Sequence, residues 1–326
     1  AAAITRITDK VRGAELLPAG ARGNVLTLYA DRPHNYDAWE VDVWYQAMPV
    51  ENARPVACEP QEEGPVAAAL AFTLAIGDGT TIRQRVRLAR NSRRLDFETE
   101  VDWQERHRML RVAFDTGIET DAGTCDIQYG YLRRPTHRNT SWDMARFEVA
   151  AHRYADLSDQ QRGMALLNDC KYGYKLDGRV LDLNLLRAPT HPDPDADLGH
   201  QVFTYALLPH DGPLLDAPVM HEAAMLNQPP VRFDGRAARP GTALPCTLDA
   251  DGISLEVLKK AEREACLVLR LVETRGCRST GTLHLPADAV LVETGIMEWD
   301  DGAIVAGQPA VPVTLAPFEI RTYKLR

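Results

Sequence analysis

From Ile82 to Trp103 the chain alternates apolar and polar side chains with a period of two. Ile82, Val86 and Leu88 alternate with Arg83, Arg85 and Arg87, and Leu95, Phe97, Val101 and Trp103 with Asp96, Glu98, Glu100 and Asp102. Strands sort such a set into two faces because successive side chains point to opposite sides of the sheet. The pattern predicts an antiparallel hairpin with one apolar face and one ion-paired face. Pairing Arg85 with Glu100 sets Arg83 against Asp102 and Arg87 against Glu98, with Leu88 beside Phe97 and Ile82 beside Trp103. Each exposed ion pair is worth only ~0.2–1 kcal/mol, so this charge striping is structural.

Other strand-like runs follow the same logic. Ile4 to Asp9, Val25 to Tyr29 and Ala67 to Ile76 are apolar or alternating, and Gly77-Asp78-Gly79-Thr80 is a hairpin turn signal. Val41, Val43 and Tyr45 alternate with Asp42, Trp44 and Gln46, which predicts a further strand. Met164 to Asn168, Gly173 to Leu186 as a hairpin, and Gln201 to Leu208 extend the series, and Ala188 to Gly199, with three prolines, reads as an exposed loop. Short strands recur after Cys246, at Ile253–Leu258, Leu267–Val272, Gly281–Leu285, Ala289–Val292, Val311–Leu315 and Phe318–Leu325. Helical periodicity is nearly absent apart from a short helix expected at His221–Leu226. The expected fold is all-β: a large sandwich over 1–212, a connector over 213–245, and a small antiparallel sandwich over 246–326.

Composition narrows the function classes. A net charge of -9 argues against a nucleic-acid backbone as partner. Six scattered cysteines without a CxxC pair fit neither a zinc ribbon nor a dense disulfide framework, and predict reduced thiols in a cytoplasmic protein. No apolar run approaches the ~20 residues that span a bilayer, so no membrane partner is expected. The chain opens Ala1-Ala2-Ala3 without Met, which suggests a piece of something longer.

No self-sufficient catalytic motif is present: GxSxG, HExxH and phosphate-binding glycine loops are all missing. Two segments carry candidate binding chemistry. Asn35-Tyr36-Asp37-Ala38-Trp39 places an aromatic ring beside a carboxylate, a pair suited to the apolar face and the hydroxyls of a sugar. Trp39 filling a core edge, with Asp37 bonding backbone N–H groups, explains the same letters. The second segment, Cys125 to Tyr174, is dense in rings, bases and acids, among them Tyr129, Arg133, His137, Asn139, Trp142 and Asp143, and reads as a polar binding face or a well hydrogen-bonded loop.

At these residues the chain resembles a known family. YGYLRRPTHRNTSWDMARFEVAAHRYADLS, ALLNDCKYGY and FTYALLPH are similar to the C-terminal region of glycoside hydrolase family 38 α-mannosidases, most of all the cytosolic and bacterial branch. ITRITDK, GNVLTLYADRPHNYDAWEVD, LVLRLVETRGC and LAPFEIRTYKL extend the resemblance over nearly the whole chain.

The resemblance implies a galactose-mutarotase-like supersandwich followed by a small β-sandwich, the non-catalytic part of a retaining glycosidase. It implies an N-terminal β/α barrel, absent here, that holds a zinc ion and the aspartate nucleophile, so no cofactor and no catalytic residue is assigned to this chain. The implied partners are that catalytic domain and an α-mannoside, and a bare docking face leaves a homo-oligomer open. Tyr36, Asp37 and Trp39 are implied to lie near the mannose cleft, with Gln128, Tyr129 and Arg133 as second candidates. His137, Asn139, Trp142 and Asp143 are expected to hold the loop and the barrel interface. An independent carbohydrate-binding module is the alternative, and a mutarotase-like epimerase ranks below it.

Overall fold

The computed structural model describes residues 3–232, 234–235, 246–305 and 308–326. Two compact units emerge: Ala1–Ile127 with Leu132–Pro230, and Gln128–Tyr131 with Val231–Arg326. The first begins with β1 (Thr8–Asp9), β2 (Ala14–Glu15), β3 (Val25–Ala30), β4 (Pro49–Asn52), β5 (Arg54–Glu63), β6 (Ala67–Ile76), β7 (Thr80–Ala89), β8 (Leu95–Trp103) and β9 (Arg108–Asp115). It continues with β10 (Ala122–Ile127), β11 (Gly130–Pro135), β12 (Val149–Ala150), β13 (Tyr154–Ser158), β14 (Arg162–Asn168), β15 (Gly173–Asp177), β16 (Val180–Arg187) and β17 (Gly199–Asp211). Helices α1 (Ser141–Ala145) and α2 (Val219–Asn227) complete it.

Nine strands form one sheet in the order β11-β10-β13-β14-β17-β8-β7-β6-β5, and six form a second in the order β12-β15-β16-β9-β3-β4. The core lies between them. Ile82, Phe97, Val101 and Trp103 from the first sheet are fully buried, as are Leu28, Val112, Phe114 and Leu183 from the second. Phe97 stacks on Tyr205 at 4.9 Å and meets Phe114 at 5.7 Å. A closed polar ring sits in this apolar layer: Asn24 Nδ2 donates to Gln84 at 2.7 Å, Gln84 to the Tyr205 hydroxyl at 2.8 Å, and Tyr205 back to Asn24 at 2.6 Å. Each member satisfies another, which removes the desolvation penalty that a lone buried amide would carry.

The outer face of the six-stranded sheet is polar yet buried. Arg111 on β9 donates to Asp182 on β16 at 2.6 Å and lies 3.2 Å from Glu148. Tyr45 closes over this cluster, with its hydroxyl bonded to Glu148 and its ring 5.2 Å from the Arg111 guanidinium. Tyr45 belongs to a 3-10 turn over Val43–Ala47, not to the strand that its neighbours' alternation predicts. Six residues of alternation are a weak signal, and burying Tyr45 against Tyr29 at 5.4 Å wins.

Of the stretch expected as a connector, residues 214–216 form a 3-10 turn and 219–227 form α2. Val219 and Ala223 of α2 pack with Tyr154, Leu167 and Leu208 in a separate apolar cluster. Residues 236–245 of that stretch lie outside the described residues. The expected hairpin forms as β7 and β8, but its register differs from the expected one by two residues. Arg83 pairs with Glu100, Arg85 with Glu98, Arg87 with Asp96, and Ile82 with Val101. A two-residue slip keeps every side chain on its face, so face patterning alone could not separate the two registers.

The second unit holds β18 (Thr247–Ala250), β19 (Ile253–Lys260), β20 (Leu267–Glu273), β21 (Ser279–His284), β22 (Leu291–Thr294), β23 (Asp301–Val305), β24 (Ala310–Leu315) and β25 (Ile320–Leu325). They form a three-stranded sheet, β18-β21-β24, and a five-stranded sheet, β19-β20-β25-β22-β23. Leu269, Leu271, Leu283, Leu291 and Leu315 fill its core.

Candidate functional site

Three neighbouring strands of the six-stranded sheet end together. Ala30 of β3 pairs with Arg108 of β9, and Met109 of β9 with Arg187 of β16. Beyond those ends lie the segment Asp31–Glu40, residue His107, and the loop from Ala188. Backbone bonds tie them: Asp31 N–H donates to His107 O at 2.9 Å, and His107 N–H to Ala188 O at 2.9 Å.

Arg187 holds the first segment in place. Its guanidinium pairs with the buried Asp31 carboxylate and donates to the carbonyls of Ala38, at 3.3 Å, and Glu40. Burial pushes the Asp31 carboxyl up, against the opposing pull of Arg187. Within the segment Tyr36 takes a left-handed φ of 53°, and its carbonyl accepts from Trp39 N–H at 2.7 Å and Glu40 N–H at 3.0 Å. That tight turn leaves the Tyr36 and Trp39 rings each 67% exposed.

Between these segments lies an open cleft of about 650 Å³, lined by Arg32, Pro33, His34, Asn35, Tyr36, Asp37, Trp39, His107 and His191. Asp37 is the only carboxylate in that lining, and one of its oxygens is hydrogen-bonded. Its Oδ2 accepts from Thr190 N–H at 2.6 Å and from the Thr190 hydroxyl at 3.3 Å. His107 Nδ1 lies 3.7 Å from Oδ1, and His107 Nε2 lies 3.2 Å from Thr190 Oγ1. Burial pushes the Asp37 carboxyl up, but the Thr190 N–H bond and the nearby His107 outweigh it and hold the group below the usual carboxylate range. The Trp39 ring meets His191 edge-on at 6.5 Å. Hydroxyl donors, hydroxyl acceptors and two exposed rings therefore face one space, which is chemistry suited to holding a polyol. No group of three or more His, Cys, Asp or Glu among the described residues is placed to hold a metal ion.

Tyr36, Asp37 and Trp39 thus come together, whereas Gln128, Tyr129 and Arg133 do not line this cleft. Gln128 and Tyr129 form the turn between β10 and β11, Tyr129 with a φ of 55°, and that turn groups with the second unit. Arg133 is an exposed residue of β11, 3.4 Å from Asp121. The stretch Cys125 to Tyr174 is not one loop: it contains α1 and most of β11 to β15. Asp143 there makes a capping box with Thr140, accepting from its hydroxyl at 2.8 Å and its N–H at 3.1 Å, and His137 Nδ1 lies 3.5 Å away. Trp142 next to it is 74% exposed. His107, Thr190 and His191 carried no local signal in the sequence. They join the site only because β3, β9 and β16 are neighbours in the sheet.

Comparison with known proteins bears on this arrangement. The model described as "Glycosyl hydrolases family 38 C-terminal domain" matches residues 1–195, and that of the family's C-terminal beta sandwich domain matches residues 252–323. The chain belongs to glycosyl hydrolase family 38 and is a C-terminal region of it. This family 38 region is 37% identical to alpha-mannosidase 2C1 of Mus musculus over 99% of its own length and 32% of that protein's. It is 35% identical to alpha-mannosidase G of Dictyostelium discoideum, over 94% of this chain and 29% of that protein. The region thus spans about a third of these relatives. Its fold matches an alpha-mannosidase of Enterococcus faecalis V583 with a TM-score of 0.76 at 19% identity, over 98% of this chain and 40% of that one.

Proposed function

We propose that the family 38 region is the non-catalytic part of a retaining α-mannosidase that hydrolyses terminal α-mannosides. In this reading it packs on a zinc-containing β/α barrel and supplies one wall of the substrate cleft. The observation that carries it is the cleft at the ends of β3, β9 and β16, within a chain of which 99% aligns with 32% of alpha-mannosidase 2C1. Retaining glycoside hydrolysis needs two carboxyl groups ~5–5.5 Å apart. Asp37 is the only carboxylate in the cleft lining, and its Oδ2 is hydrogen-bonded to Thr190, so in this reading it positions and the barrel reacts. When bound there, zinc would grip mannose hydroxyls as a template, and the residues of this chain would exclude water and stack on the sugar. No helix among the described residues is long and apolar enough to cross a membrane, which is compatible with a cytoplasmic enzyme.

The purified 326-residue chain is expected to show no turnover of an aryl α-mannoside, and the full-length parent to show turnover that Trp39→Ala reduces. Turnover by the chain alone overturns the reading. The exposed Tyr36 and Trp39 rings favour a second reading, a module that binds sugar by itself. Calorimetric titration of mannose into the chain separates the two, since a module must bind at millimolar concentration or tighter without the barrel.

A further inference from the structure

A cavity of about 400 Å³ that shares no lining residue with the cleft lies under the β1–β2 hairpin. Its floor is a row of leucines: Leu88 of β7 pairs with Leu95 of β8, which pairs with Leu207 of β17. Ile7 and Leu16, which flank the hairpin and are joined by the Leu16 N–H to Ile7 O bond at 2.8 Å, wall it together with Pro209. The hairpin forms a two-stranded sheet of its own and pairs with neither large sheet, so no ladder fixes how closely it settles on that row. Leu207 is fully buried, whereas Leu88 is 45% exposed and marks the mouth. An apolar space left unfilled forfeits the dispersion contacts of its lining. A concave, mostly apolar cavity of this size is the usual form of a small-molecule site.

The charges around the cavity answer one another. Arg93 lies 2.5 Å from Asp9 and 3.0 Å from Asp211, and Arg12 lies 2.8 Å from Asp211. The other Asp9 oxygen accepts the N–H groups of Val11 and Arg12 at 2.9 and 3.2 Å. The Thr8 hydroxyl donates to Glu15, and the Ser92 hydroxyl accepts the Arg94 N–H. Lys10, the remaining charged residue of the lining, is exposed, and its ammonium can stay in water. No aromatic ring is among the lining residues, so a sugar finds nothing to stack on. The space offers aliphatic contact, and a charged head carried into it would lose its hydration without gaining a free partner.

We propose that this cavity is a binding site for a small uncharged aliphatic molecule, held by Leu88, Leu95 and Leu207 on one side and by Ile7 and Leu16 on the other. The ion pairs of Arg12 and Arg93 hold the hairpin over it. The site is independent of the mannoside reading.

Fluorescence titration of the chain with the neutral dye N-phenyl-1-naphthylamine tests it, followed by competition with 1-octanol, octanoate, octylammonium and mannose. The dye should bind saturably, with a dissociation constant of about 0.1 mM or tighter. The alcohol is expected to displace it at a concentration at least about tenfold lower than either ion does, because each ion must give up its hydration. Mannose should leave the dye in place. Leu16→Trp, which fills the cavity, and Leu88→Glu, which charges its mouth, should each weaken dye binding at least about fivefold. Both positions are partly exposed, and circular dichroism checks that the variants fold. No saturable binding, binding unchanged in both variants, or displacement by mannose overturns the proposal. Octanoate or octylammonium competing as well as 1-octanol overturns the uncharged class, and the proposal with it. Each of these results leaves the mannoside reading standing.

Discussion

Two side chains carry most of what can be tested at the scale of single residues. Arg187 pairs with Asp31, whose side chain is 2% exposed. Removing one partner of a buried pair leaves the other charged and desolvated, so Arg187→Met should cost about 3–5 kcal/mol in urea unfolding and free the Asp31–Glu40 segment. Glu273 is the second. It is fully buried and accepts N–H bonds from Arg275, Gly276 and Phe318 and the Ser279 hydroxyl, all at 2.8–2.9 Å. Burial pushes its carboxyl up, but those donors outweigh it and hold it below its ordinary 4.5. A carboxyl depressed in the folded state contributes stability above its unfolded value and loses it as pH falls through the folded value. The second unit should therefore weaken as pH drops below about 4.5. Glu273→Gln should flatten that acid limb while costing about 1.5–3 kcal/mol at neutral pH, as read from unfolding curves across pH. Residues of this kind were invisible in the sequence, since one glutamate at a strand end looks like any other until its donors are known.

Among elements, the β7–β8 hairpin separates what patterning can and cannot say. Its two faces were legible because period two is a direct consequence of strand geometry. Its register was not. Arginines at 83, 85 and 87 meet acids at 96, 98, 100 and 102 in either alignment, so charge complementarity is degenerate under a two-residue slip. The connection decides: Asn91 adopts a φ of 61° and Ser92 N–H bonds Ala89 O at 3.2 Å, closing the turn where Leu88 faces Leu95. The same hairpin gives a paired prediction. Arg85 bridges Glu62 and Glu98 at 2.7 Å each on a partly solvated face, and Arg85→Gln should cost under about 1 kcal/mol. Ile82, fully buried on the opposite face, should cost about 2–5 kcal/mol as Ile82→Ala. Denaturant midpoints of the two variants check the contrast. The Val43–Ala47 turn shows the opposite case, in which a tertiary contact of Tyr45 overrode the local alternation.

For the molecule as a whole, the all-β architecture followed from strand rhythm and the scarcity of helical periodicity, whereas the family followed from long ordered motifs and not from any physical pattern. The two apolar cores are separate clusters. Calorimetry is expected to resolve two unfolding transitions, of which Leu271→Ala lowers only that of the second unit, by about 2–5 kcal/mol. A single transition shifted as a whole would contradict that expectation. What no pattern supplied was the assembly of the cleft, because its walls come from residues 31–40, 107 and 188–191, and only the order β16-β9-β3 brings them together.

That origin has a consequence for how such a protein can change. The cleft is made of connections, while the layers beneath it are made of strands, and the two meet at one clasp, Arg187 on Asp31 and on the carbonyls of Ala38 and Glu40. Cleft surface and scaffold are therefore separable inheritances. A relative's residues transplanted over 32–39, with both ends of the clasp retained, should give this sheet that relative's cleft surface and leave its unfolding midpoint almost unmoved.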